Sequence, residues 1–160
     1  DFNGYWQRAY ANSLVDLNYI SKNSQSAAYK GIANVLKVYL FQGLVDHFGD
    51  VPFTEALSGA IEDGSILSPN YDSSETVIYP ALITMLDDAL AELALAEGDV
   101  GTDDFIFEGN IAKWTKFANS LKLRIYMRTS EVSPQSAAVQ SLISSGIFIE
   151  TIDKSLSLSC

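Results

Sequence analysis

The stretch from Ser26 to His47 constrains this chain more than any other. Wound as a helix, it carries Ala28, Ile32, Val35, Leu36, Tyr39, Leu40, Gly43 and Leu44 over most of its circumference. A helix that is apolar nearly all round is stable only between neighbours that cover it on several sides. Any fold for this chain must therefore surround that segment, and the rest of the sequence shows with what.

Apolar residues recurring every three or four positions predict four more helices. The first covers about residues 2–20, with Phe2, Trp6, Ala9, Ser13, Leu17 and Ile20 on one face. Counting Ser26–His47 as the second (26–47), the third covers about 74–97. Ser73 or Ser74 is its N-cap, Ile78, Leu82, Met85, Ala89 and Leu93 form its core stripe, and Asp87, Asp88 and Glu92 face out. Pro80 falls in its opening turns, where a missing N–H costs least. The fourth, 110–129, packs Trp114, Phe117, Ala118, Leu121 and Ile125 and turns Lys113, Lys116 and Arg128 outward. A short fifth, 134–144, is expected to begin with Pro134 after a Ser133 cap and to end at Gly146. The expected fold class is all-α. Antiparallel pairs stacked side by side bury faces that no single pair can cover. The ~34-residue period of regular tetratricopeptide repeats is not visible, which leaves a degenerate, tetratricopeptide-like stack of helix pairs.

Residues 49–74 form a long connection punctuated by Gly49, Pro52, Gly59, Gly64 and Pro69. Ordering so long a loop costs entropy that packing must offset, so a structureless one is unusual in a compact fold. This one carries Phe53, Tyr71 and a short helix-like piece, Thr54 to Leu57, and is expected to be ordered over the bundle.

Charge narrows the function. The 160 residues hold 20 acids and 10 bases, a net charge of −10. That excess opposes nucleic-acid binding, which needs a basic face, and opposes docking on anionic lipid by charge. The longest apolar candidate for a membrane span, Val35 to Val45, is broken by Lys37, Gln42 and Gly43. The charge is also uneven. Between Lys37 and Lys113 there are fifteen acids and no base, and then Lys113 to Arg128 holds five of the ten bases. This is read either as an acidic loop surface beside one basic helix face, or as a dipolar surface that orients a partner.

Catalytic chemistry has little to work with. His47 is the only histidine, Cys160 the only cysteine, and no Gly-x-Ser-x-Gly elbow exists. His47 is expected at a helix end, interacting with the last carbonyls. One His and one Cys cannot supply a zinc site. Asp99, Asp103, Asp104 and Glu108 lack the alternating spacing of a calcium loop and read as a solvated acidic turn. No metal or cofactor is expected. Asp46 and Asp50 are the carboxylate pair to test for glycoside hydrolysis. The favoured reading of that pair is a loop held by carboxylate-to-backbone bonds. Binding remains, since exposed aromatic faces accept the apolar faces of sugar rings. Phe53, Tyr71, Phe105 and Phe107 lie on loops, and Phe53 and Tyr71 are the ligand-binding candidates.

Four stretches together resemble the SusD/RagB family, and its SusD-like lipoprotein branch in particular. They run from Tyr5-Trp6-Gln7-Arg8 to Asn18-Tyr19-Ile20, and from Val35 through Asp46-His47-Phe48-Gly49-Asp50-Val51-Pro52-Phe53-Thr54-Glu55-Ala56-Leu57. The others are Ser68-Pro69-Asn70-Tyr71-Asp72-Ser73-Ser74-Glu75 and Gly109-Asn110 through Asn119-Ser120 to Arg124. Gly49 can end a helix at positive φ and Pro52 then forces the chain out of it. Asn119 and Ser120, polar within an apolar helix, are expected to tie the long loop to the bundle.

The resemblance implies part of a larger SusD-like fold, truncated at both ends. It also implies a place on the outward face of the outer membrane, held through a lipid anchor that this fragment lacks. Cys160 stands at the wrong end to carry that lipid. The implied function is a non-catalytic subunit that binds oligosaccharide or another nutrient for a TonB-dependent SusC-type transporter. The implied alternatives are a helical scaffold that only docks on that porin and, less favoured, a glycoside hydrolase fragment. Lys113, Lys116 and Arg128 are the expected partner surface.

Overall fold

The computed structural model describes residues 2–58, 68–96, 100–101 and 103–149, and within these it is helical, with no strand. Helix α1 (Phe2–Arg8) passes through a π-turn (Ala9–Ser13) into α2 (Leu14–Asn23), forming one rod. Helix α3 is Ala27–Phe48. A second π-turn (Ser74–Ile78) opens α4 (Tyr79–Ala94), and α5 (Ile111–Arg128) and α6 (Ser136–Ser145) follow.

The core grows outward from α3, as its sequence requires. Val35, Val38, Phe41 and Leu44 are buried against α2, α4 and α5, together with Leu82, Leu86, Ala89, Trp114, Leu121 and Ile125. Helices α3 and α4 approach closely because Gly31 has no side chain where Ala89 and Leu93 of α4 lie. The strip carrying Tyr39 stays partly exposed, its ring 6.0 Å from that of Phe117. Ser26 caps α3 by accepting the Tyr29 N–H, and Asn110 caps α5 by accepting that of Lys113 at 3.0 Å. Ser73, of the two serines considered, caps the third predicted helix by accepting from Thr76.

Three expectations change. In the first rod the π-turn inserts a residue into the helical phase, so the buried positions are Ala9 and Leu14, five apart. Ser13 is exposed instead, and Ile20 lies at the rim. The fifth helix starts at Ser136, not Pro134. The Ser133 N–H is taken by the Thr129 carbonyl at 2.8 Å, closing the turn after α5, and this leaves Pro134 in the connection. Its end, Gly146 at φ 65, is as expected. Asn119 and Ser120 do not tie the long loop to the bundle, because this face of α5 looks toward α6 and the segment beyond. Ser120 Oγ accepts the Ile149 N–H at 3.2 Å, and Asn119 is buried beside Leu142 and Ile147. Gly59, Gly64, Glu97, Asp99 and Cys160 lie outside the described residues.

Candidate functional site

The described parts of the long loop, 49–58 and 68–74, are closed by carboxylates. Gly49 leaves α3 at φ 75. Asp50 then accepts the Ser74 N–H at 2.8 Å, and this bond holds its carboxyl below the usual aspartate range. Val51 and Asp72 form an antiparallel bridge, with Asp72 N–H on the Val51 carbonyl at 3.0 Å. The Asp72 side chain accepts the N–H groups of Phe53 (3.0 Å) and Thr54 (2.7 Å) and the Thr54 hydroxyl. Glu55 accepts the Asn70 N–H at 2.8 Å and its amide at 3.0 Å. The piece 54–57 is a turn rather than a helix, since Leu57 sits at φ 63.

These bonds fix Tyr71 from both sides through Asn70 and Asp72. Its ring is 66% exposed and lies stacked on Trp6, with centroids 6.3 Å apart and planes at 23°. Trp6 is braced edge-on by Phe48 at 5.1 Å and by the tilted ring of Tyr10 at 4.8 Å. The Tyr10 hydroxyl donates to the Pro52 carbonyl at 2.6 Å, and burial, with Tyr71 and Asp72 nearby, raises its pKa. Phe53 behaves differently: it is half-buried, edge-on to Phe41 of α3 at 4.8 Å. So one ring faces solvent and the other faces the bundle. Sequence reasoning missed Trp6 as the partner of Tyr71, because its spacing marked it only as core.

The acid pair separates in the same way. Asp50 serves the loop. Asp46 Oδ1 accepts from Arg128 Nη2 at 2.8 Å and Nε at 3.0 Å, and from the Tyr79 hydroxyl at 3.3 Å. That hydrogen bond and charge raise the Arg128 pKa further, while burial and Asp46 raise that of Tyr79. His47 sits at the helix end as expected, its Nδ1 2.6 Å from the Gly43 carbonyl, which it can contact as donor. On α5, Lys122 pairs with Asp87 of α4, Lys113 and Lys116 are half-exposed, and Arg124 is exposed. Of the predicted partner residues, Arg128 is thus neutralised within the chain.

The acidic turn before α5 is built on Asp104. Its carboxylate accepts the N–H groups of Ile106 (3.0 Å), Phe107 (3.1 Å) and Gly109 (2.9 Å) and the Trp114 indole at 2.7 Å. Burial pushes its pKa up, but these four donors together outweigh it and hold the carboxyl low. Asp103 accepts the Tyr29 hydroxyl at 2.8 Å. Among the described residues no group of three His, Cys, Asp or Glu could hold a metal ion. Phe107 packs edge-on against Trp114 at 4.9 Å, whereas Phe105 is 90% exposed. Among the described residues, no helix is long and apolar enough to cross a membrane.

No curated protein matches the chain. Solved structures are similar to it. A chitin-binding protein is 32% identical, with a TM-score of 0.77 over 92% of this chain and 32% of its own. A SusD/RagB family protein from Bacteroides thetaiotaomicron is 28% identical, with a TM-score of 0.77 over 95% of this chain and 32% of its own. An outer-membrane protein from Bacteroides vulgatus, described by its involvement in nutrient binding, is 27% identical, with a TM-score of 0.74 over 94% and 32%. The chain thus spans about a third of the length of these relatives. Residues 2–158 match the family described as starch-binding and associating with the outer membrane. With the helical stack and the loop motifs in place, the chain belongs to the SusD-like family.

Proposed function

We propose that this chain is the helical part of a non-catalytic protein that binds oligosaccharide on the outward face of the outer membrane. In the full protein a lipid anchor holds it there, and it passes its ligand to a SusC-type, TonB-dependent transporter. The observation that carries the reading is the Tyr71 ring, exposed, backed by Trp6 and pinned by the Asp72 and Glu55 bonds. A ring already held in place accepts a sugar face without the entropy cost of ordering a loop. The family description and a chitin-binding relative support a carbohydrate ligand. The half-exposed α5 face with Lys113 and Lys116 is the transporter contact, opposite in sign to the acidic loops.

The half-burial of Phe53 against Phe41 favours a second reading, in which this part of the protein only docks on the transporter. Titrating the chain calorimetrically with maltohexaose and chitohexaose separates the two. The binding reading expects a measurable affinity for one of them that Tyr71→Ala weakens roughly threefold to tenfold, the range of one aromatic contact. Unchanged affinity in Tyr71→Ala, or none in the parent chain, overturns it in favour of the scaffold. Hydrolysis of either sugar overturns both.

A further inference from the structure

A cleft of about 500 Å³, of the size that holds small molecules, opens between the start of α4, the C-terminal end of α5 and the turn after it. Val45, Ile83 and Ile125 give it an apolar wall. Tyr126 stands between this cleft and a smaller one, and the Lys122 ammonium lies 6.0 Å from its ring centroid on the smaller cleft's side. Arg128 lines the cleft too. Its guanidinium is oriented by two bonds to Asp46 Oδ1, through Nε and Nη2, and among the described residues no acceptor engages Nη1. Gln135 and Ser133, both exposed, add further donors and acceptors at the mouth.

Charge and shape decide what such a cleft takes. The one guanidinium is already neutralised by Asp46, and the other charged lining residue, Glu75, is an acid. A phosphate or carboxylate ligand would meet no uncompensated positive charge. A wholly apolar ligand would strip water from Arg128, Gln135 and Ser133 without replacing their hydrogen bonds. A neutral polyhydroxylated ring satisfies both sides. Its apolar face suits the Tyr126 ring and the Ile83 wall, and its rim hydroxyls suit fixed donors and acceptors.

We propose that this cleft is a second binding site, for a neutral pyranose, with Tyr126 as its platform and Arg128 as its fixed hydrogen-bonding group. It is separate from the Tyr71 ring and does not depend on it. The test follows amide chemical shifts of the chain during titration with maltohexaose and chitohexaose. The expected result is saturable shifts at Thr129, Ser133 and Gln135 that persist in Tyr71→Ala. Ser133→Trp, an exposed position whose new ring fills the cleft, is expected to weaken those shifts at least fivefold at unchanged melting temperature, and Tyr126→Ala to weaken them as much in a chain that stays folded. No shift at these residues in the parent chain, with either sugar, overturns the proposal, as does an unchanged titration in a folded Ser133→Trp or Tyr126→Ala chain. Shifts confined to residues around Tyr71 overturn this site alone and leave the Tyr71 reading intact.

Discussion

Two glycines of α3 make different predictions for the same substitution. A Cβ at Gly31 would lie 2.8 Å from Leu93 Cγ and 3.0 Å from the Ala89 carbonyl oxygen. The first atom belongs to a side chain 2% exposed and the second to the α4 backbone, so neither can swing into solvent. Replacing Gly by Ala inside a helix gains about 1 kcal/mol of backbone preference, and overpacking costs about 1–3 kcal/mol. Gly31→Ala is therefore expected to destabilise by up to roughly 2 kcal/mol, and Gly31→Val by more, because its two further methyl groups enter the same gap. At Gly43 the Cβ meets the hydroxyl end of Tyr5, a half-exposed side chain that can turn away. Gly43→Ala is expected to fall within about 1 kcal/mol of neutral, and Gly43→Ala with Tyr5→Phe to gain most of the ~1 kcal/mol of helix preference.

Urea unfolding of the chain followed by helical circular dichroism measures each difference as a shift in midpoint at constant slope. A cycle with Leu93→Ala isolates the contact. Leu93→Ala alone is expected to cost about 2–5 kcal/mol. In the Gly31→Ala background it is expected to cost at least about 1 kcal/mol less, because the new methyl occupies part of the space vacated. If Gly31→Ala is as stabilising as backbone preference alone allows, or the cycle shows no coupling, the close approach of α3 and α4 is not what holds Gly31.

Two further substitutions probe polar groups held inside the fold, one fully buried and one half-buried. Gln42 is 1% exposed, and neither its Oε1 nor its Nε2 has a hydrogen-bond partner among the described residues. Gln42→Met keeps the shape and removes both polar atoms, so it is expected to stabilise by about 1–3 kcal/mol, read as a rise in thermal midpoint; a fall would mean that the amide is satisfied in solution. Asp104→Asn replaces a four-donor acceptor with an amide whose NH₂ faces those donors, and an expected loss of about 1–3 kcal/mol follows. Because the folded pKa of Asp104 is depressed, its contribution is fully present above the unfolded aspartate value of about 3.9 and is lost as pH falls through the lower folded value. Thermal midpoints measured downward from pH 5 should therefore fall more steeply in the parent than in Asp104→Asn, and parallel slopes would contradict the assignment.

How much was legible in the sequence follows from the distance over which each feature is decided. Helix faces are local. Most buried positions of α4 and α5, Leu82, Ala89, Leu93, Trp114, Leu121 and Ile125 among them, follow from spacing, whereas Leu86 is fully buried and Met85, expected in the core stripe, is only half-buried. The π-turn at Ala9–Ser13 does not follow from spacing, because one inserted residue shifts a phase that spacing rules take as constant. The fates of Phe53 and Tyr71 are decided non-locally, by Phe41 for one and by Trp6 for the other. Both sit on the same loop with the same kind of ring, so nothing nearby distinguishes them. The Asp46–Arg128 pair spans 82 positions, and the sequence offered only the sign of each partner. The block of acids before the basic helix does bear on this. Asp46 and Asp87 come from that block, and they engage Arg128 and Lys122 of α5. Part of the charge contrast is therefore consumed within the chain, in joining α5 to α3 and α4.

The segment that first required a surrounding bundle also sets the candidate site. Along α3, Gly31 admits α4 and Gly43 admits Tyr5 of α1. Phe41 holds Phe53, Asp46 holds Arg128, and Phe48 braces Trp6, on which Tyr71 stacks. Ring orientation in the loop is thus inherited from a buried helix through edge-on contacts of about 5 Å, not from the loop's own backbone preferences. Loop bonds and ring contacts act together here. The carboxylates of Asp72 and Glu55 fix where the Tyr71 backbone lies, and the aromatic chain back to α3 fixes which way its ring faces. Loosening either would leave Tyr71 exposed but free to rotate, and the entropy of re-ordering it would then be charged against every ligand it bound. The fixed pose of this exposed ring therefore depends on the dense core of α3 beneath it as much as on the loop bonds that hold its backbone.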